Sequence, residues 1–124
     1  MEEEQTYKDL YNEFIISYKK GSIAGEDVGE VIARLAQHYC QKNTALGNVE
    51  IDLNRVSAEE VQKTDDQTGK PISVSKADVL IKSTIEYAKY LQIKTDLQNI
   101  EQFINALKYL QKGLLNEYSH VGGM

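Results

Sequence analysis

The stretch Asp65-Asp66-Gln67-Thr68-Gly69-Lys70-Pro71 holds the only proline of the chain and divides it in two. Proline lacks a backbone N–H and clashes with the preceding helical turn, so no regular helix continues through this segment. On either side lie segments of roughly forty residues whose apolar positions recur at helical spacing. Two such segments joined by one short break predict an all-α fold built on a long antiparallel helical hairpin of coiled-coil character, with its turn over about 65–74. A hairpin of this kind offers long faces to partner helices and little room for an enclosed active site.

A shorter helix precedes the hairpin, over about residues 3–20. Its apolar residues Tyr7, Leu10, Tyr11, Phe14, Ile15 and Tyr18 form one stripe. Glu2, Glu3 and Glu4 suit the positive N-terminal end, Lys19 and Lys20 suit the negative C-terminal end, and Gly21 marks the stop. Because a tyrosine hydroxyl needs water or a partner, this tyrosine-rich stripe is expected to cover a groove rather than fill a deep core.

The second helix is expected over about 25–64, with Glu26 and Asp27 at its start. Its residues fall into a heptad frame. One seam position holds Val28, Leu35, Lys42, Val49 and Val56, and the other holds Ile32, Tyr39, Leu46, Leu53 and Glu60. Lys42 and Glu60 are the two polar exceptions. Gly29 and Gly47 each weaken a helix by about 1 kcal/mol relative to alanine, and Gly47 leaves a bend or short break open.

After the break, Ser75-Lys76-Ala77-Asp78 reads as a capping box that opens a third helix over about 76–118. Its early stripe is Ala77, Ile81, Thr84, Ala88 and Leu91. Its later stripe is Ile93, Leu97, Ile100, Ile104, Leu107 and Leu114, with Gln111 at the intervening step. The shift near Leu91–Ile93 resembles a stutter. Towards the C-terminal end Phe103, Leu110 and Leu115 widen the apolar face. Because a long hairpin has a poor ratio of core to surface, the chain is expected to be a homo-oligomer, with Phe103, Ile104, Leu107, Leu110, Leu114 and Leu115 as its interface.

The 124 residues amount to a single domain, with a net charge of −5. Residues 1–81 carry 15 acidic and 9 basic side chains, and residues 82–124 carry 4 and 5. Net acidity argues against strong non-specific binding to duplex DNA, which requires cations on phosphates. The single cysteine, Cys40, suits a reducing compartment. The acidic N-terminus is unlike a targeting peptide, and no apolar run approaches the ~20 residues needed to span a bilayer. These features point to a cytoplasmic protein without a membrane segment.

Few residue patterns suggest chemistry. His38 and Cys40 stand about 200° apart around a helix and cannot easily share a metal ion. Glu117 and His120 have the Glu-x-x-His spacing of di-iron bundles, which also need carboxylates from facing helices. Asp27 and Glu30 form a carboxylate pair, better explained as acidity at a helix N-terminus. Gly69-Lys70 precedes proline and is no phosphate-binding loop. No catalytic residue, metal ligand or cofactor is therefore assigned, and the chain is expected not to be an enzyme. A metal-dependent bundle enzyme, with Glu117 and His120 meeting across an oligomer interface, is the most distant alternative.

The remaining pattern is basic and aromatic. Lys76, Lys94 and Lys112 are eighteen residues apart, five turns of one helix, and Lys108 lies about 40° from them. Tyr87, Tyr90 and Tyr109 share the helix, although Glu101 interrupts the stripe. Lysines interleaved with aromatics can hold a single strand by charge and stacking. The plainer interpretation is an exposed face paired with acids of the second helix.

The run Tyr87-Ala88-Lys89-Tyr90-Leu91, followed by Glu117-Tyr118-Ser119, resembles the UvsY family of phage recombination mediators. The resemblance covers residues 87–119. It implies an oligomeric helical protein that binds single-stranded DNA and helps load a recombinase, with Tyr87, Lys89, Tyr90 and Leu91 as a binding or assembly segment. The family continues beyond the point where this chain ends, and this chain is net acidic. The preferred expectation is thus a non-enzymatic helical binding or assembly protein, an accessory factor in phage or bacterial DNA recombination or replication. It would act with a protein partner, or alternatively would bind single-stranded nucleic acid through Lys76, Lys94, Lys108 and Lys112.

Overall fold

The computed structural model describes the backbone of residues 5–21 and 25–122, and side chains as far as residue 114. The described residues form four helices, α1 (Tyr7–Lys19), α2 (Gly25–Val61), α3 (Val74–Lys82) and α4 (Ile85–Gly122), with short connections between them. They divide into two compact units, one comprising 1–41 with 97–124 and the other 42–96.

In the first unit, α1 starts where the Thr6 hydroxyl accepts the Asp9 N–H at 3.1 Å. This satisfies one of the amides that a helix start leaves without an intrahelical partner. The helix ends at Gly21, whose φ of +75° places it in the left-handed region that glycine enters without strain. The core consists of Tyr7, Leu10 and Phe14 from α1, Val28 and Leu35 from α2, and Ile100 and Leu107 from α4. Tyr11 stacks on Phe103 with ring centroids 4.0 Å apart, and the Tyr7 hydroxyl accepts from Asn99 Nδ2 at 3.3 Å. With its hydroxyl paired, Tyr7 is buried, so α1 fills the core rather than merely covering a groove. Gln111 Nε2 reaches the Gly25 carbonyl at 3.4 Å, and a Cβ on Gly29 would stand 3.4 Å from that same amide nitrogen. Gln111 thus lies over the first turn of α2, at a distance that a side chain at position 29 would meet as ordinary contact. α2 then runs on as regular helix through Gly47.

The second unit contains residues 42–61 of α2, the proline-containing break, α3, and residues 85–96 of α4. The break is a fastened turn. The Asp65 carboxylate accepts the Gln67 N–H at 2.8 Å, and the Asp65 carbonyl accepts the Gly69 N–H at 2.8 Å. Gly69 supplies the positive φ of +68°, and Thr64 and Pro71 form an isolated antiparallel bridge.

Two expectations about the third helix are corrected. Its cap is Ser73, whose hydroxyl accepts the Lys76 N–H at 3.2 Å, and not Ser75. It is also two helices. The Ser83 and Thr84 hydroxyls each donate to the carbonyl three residues back, on Leu80 and Ile81, both at 2.7 Å. Thr84 Oγ1 then accepts the Tyr87 N–H at 3.2 Å. Side-chain bonds of this type compete with the helical ladder, so the pair ends α3 and caps α4. The change of stripe is a helix break at 83–84 and not a stutter at Leu91–Ile93: Thr84 is half-buried, whereas Ala88 and Leu91 are exposed.

Candidate functional site

The 42–96 unit shows the larger mismatch between core and surface. Its buried apolar residues are Val56 and Ala77. Its exposed large apolar residues are Ile51, Val61, Val74, Val79, Ile85 and Leu91. Leu46, Val49, Leu53, Ile72, Leu80, Ile81 and Ile93 are only half-buried. On α2, Ile51 stands about 180° from the line of half-buried residues that faces the inside of the unit. Nine acidic and eight basic residues leave this unit near neutrality.

The two polar exceptions in the heptad have distinct structural explanations. Lys42 Nζ lies 3.2 Å from the buried carboxylate of Asp96, which also accepts from Gln92 Nε2 at 3.1 Å. Burial of Asp96 is tolerated because the ammonium and amide replace water around it. Glu60 is buried as well. Its Oε1 accepts from Lys63 Nζ at 2.8 Å, while its Oε2 is buried without a hydrogen-bond partner.

The lysine stripe requires correction. Lys76 lies on α3, not on the helix of the other three, and its ammonium is paired with Asp65 at 3.1 Å. The Gln67 N–H and the Lys76 ammonium hold the Asp65 carboxyl below the usual aspartate range. Lys94 lies on α4 with its ammonium 5.2 Å from the Tyr90 ring centroid, a cation–π arrangement. The Tyr90 and Tyr87 rings are 6.1 Å apart. Lys82, which the stripe did not include, is hydrogen-bonded to Asp78, and this bond raises its pKa with a smaller contribution from Tyr87. Two ammonium groups therefore accompany the tyrosine pair, with Lys89 exposed on the same helix. Lys108 and Lys112 are exposed on the part of α4 that belongs to the first unit.

Five of the six residues expected at an oligomer interface are instead engaged with the chain's own core. Leu107 is buried in the chain's own core, and Phe103, Ile104, Leu110 and Leu114 pack against it. The apolar widening of α4 is taken up by α1 and α2 of the first unit. Leu115, Glu117 and His120 lie outside the residues whose side chains are described.

Within the first unit an open groove of about 370 Å³ lies between α1 and α2. Glu13, Asp27, Glu30 and Arg34 line it, with Glu30 and Arg34 paired at 2.9 Å and Glu13 accepting from Gln5. Among the described residues no group of three or more His, Cys, Asp or Glu side chains is placed to hold a metal ion. No described helix is long and apolar enough to cross a membrane. Set against known protein families, curated proteins and solved structures, the chain matches none.

Proposed function

We propose that the chain is a non-enzymatic helical binding and assembly protein, a helical hairpin of α2 against α3–α4 that works as a homo-oligomer. The observation that carries this reading is the imbalance in the 42–96 unit. Six large apolar side chains are exposed over a core whose buried apolar members are one valine and one alanine. Each such side chain gains about 1.5–3 kcal/mol on full burial, so a surface of this composition favours association. Near-neutral charge keeps repulsion between like surfaces small. The test is the mass of the purified full chain in solution. A multiple of the monomer mass supports the reading, and a compact monomer at high micromolar concentration removes it.

A role in phage or bacterial DNA recombination or replication is the setting we propose, on the likeness of residues 87–119 to the UvsY family. One observation favours a second reading, a single-stranded nucleic-acid binder. Lys94 sits over Tyr90, next to Tyr87 and with Lys82 nearby, and combines charge with stacking surface. This reading narrows the candidate contact to Lys82, Tyr87, Lys89, Tyr90 and Lys94. Binding of oligonucleotides should then fall steeply with salt, and Lys94→Glu should weaken it strongly. An absence of binding at low salt would eliminate this reading.

A further inference from the structure

We propose that the Lys42–Asp96 pair fixes the alignment of α2 against α4, selecting one register among several that the apolar seam alone would accept. The proposal goes beyond the assembly reading, because it concerns the inner seam rather than the exposed faces. The Asp96 side chain is 8% exposed, and each of its oxygens has its own partner. Oδ1 accepts from Gln92 Nε2, one turn earlier on α4, at 3.1 Å. Oδ2 lies 3.2 Å from the Lys42 ammonium of α2. Gln92 thus orients the carboxylate from its own helix, while α2 supplies the cation. A buried ion pair commonly adds little net stability over an apolar pair of the same size, but it penalises every arrangement that separates the charges.

The surrounding apolar contacts discriminate poorly between registers. Lys42 occupies the heptad position that Leu35, Val49 and Val56 hold elsewhere on α2. A slide by one heptad exchanges these aliphatic side chains for one another and keeps an apolar stripe against α4. In the 42–96 unit the buried apolar residues are Val56 and Ala77, while Leu46, Val49, Leu53 and Ile93 are half-buried. Few close-packed contacts therefore oppose the slide within this unit. The proline-containing turn does not set the register either. Its backbone bonds join residues 63–65 to 69–72, and α3 and the break at Ser83–Thr84 stand between it and α4.

A charged residue discriminates where the aliphatic ones do not. Displaced by one heptad, α2 presents Leu35 or Val49 to Asp96 in place of Lys42. The buried carboxylate then loses its ammonium, and Lys42 loses its carboxylate. Both charges are penalised at once, whichever way α2 moves. A single polar residue in an apolar heptad seam specifies register in the same way in coiled coils. Glu60, the other polar member of the seam, bonds to Lys63 three residues on, and that bond holds no information about α4.

The experiment attaches a nitroxide to Cys40, the single cysteine, which is exposed on α2. Paramagnetic broadening of amide resonances along α4 then reads the register. The isotope-labelled full chain is diluted into unlabelled chain, so that only contacts within one chain are seen. The wild type should broaden one contiguous set of α4 amides. In Lys42→Met/Asp96→Leu the urea midpoint should stay close to that of the wild type, while the broadening spreads by a heptad in both directions along α4. In Lys42→Val/Val49→Lys, which moves the cation one heptad along α2, the broadened set should shift by one heptad. A pair that only stabilises would change the urea midpoint and leave the broadened set in place. An unchanged set in the apolar double variant therefore overturns the proposal. Should that variant not fold, the relocated lysine decides: a shifted set supports the proposal and an unchanged set overturns it. Failure of both variants to fold overturns it too, because selection of a register is separable from folding itself.

Discussion

The Lys42 ammonium lies 3.2 Å from the Asp96 carboxylate, and the two side chains differ sharply in exposure, at 37% and 8%. The buried member depends on the partly solvated one. Removing Lys42 as Lys42→Met takes one charged partner from the buried Asp96 and should cost about 2–3 kcal/mol, at or below the low end for broken buried pairs because Lys42 is partly in water. The double variant Lys42→Met/Asp96→Leu should recover most of that loss. Urea denaturation of the two single variants and the double variant reads the coupling directly. Equal and additive losses would mean that the pair contributes no interaction of its own.

Glu60 presents the opposite case. Its Oε2 is buried and unpartnered, and its one hydrogen bond goes to an exposed lysine. Glu60→Leu, of similar size, removes the desolvated carboxylate and continues the apolar seam of Leu46, Leu53 and Val56. It should be neutral or stabilise by about 1 kcal/mol. Destabilisation by more than ~1 kcal/mol, measured by thermal or urea unfolding, would show that the carboxylate is better accommodated than this account holds.

The core of the first unit predicts larger effects. Leu107→Ala opens a cavity among Tyr7, Leu35 and Ile100 and should cost about 2–5 kcal/mol. Tyr7→Phe keeps the ring but leaves the Asn99 amide without the hydroxyl, and should cost about 1 kcal/mol. Calorimetric unfolding should rank them in that order.

Much of this arrangement was legible in the sequence, and the failures are specific. The α1 stripe and its glycine stop follow from spacing and from one left-handed residue, both local properties. The exceptions Lys42 and Glu60 could be seen as breaks in a heptad. Asp96 could not be assigned to Lys42, because pairing two helices requires a register that periodicity does not supply. The helix break at Ser83–Thr84 was hidden because serine and threonine are tolerated within helices until their hydroxyls bond back to Leu80 and Ile81. The lysine stripe failed for the same reason: a common azimuth for Lys76 and Lys94 presupposes one uninterrupted helix. The width of the apolar face at Phe103 and Leu110 does not reveal its neighbour, because spacing alone cannot tell a partner chain from the chain's own α1, whose Tyr7, Leu10 and Phe14 enter the core they pack against.

The turn at the break should respond to acid. The Gln67 N–H, and secondarily Lys76, favour the charged form of Asp65, so its folded pKa is depressed. The stabilisation is fully present above the unfolded aspartate value of about 3.9 and is lost as pH falls through the lower folded value. The Gln67 amide resonance should titrate with a midpoint below that of a free aspartate, and Asp65→Asn should abolish the transition. A midpoint at or above the ordinary value would contradict the bonds described.

Sedimentation equilibrium of the full chain from low to high micromolar concentration tests the central claim most directly. Assembly through exposed helical faces predicts a mass that rises to a whole multiple of 14.0 kDa. A mass that stays at 14.0 kDa across the whole range would contradict it.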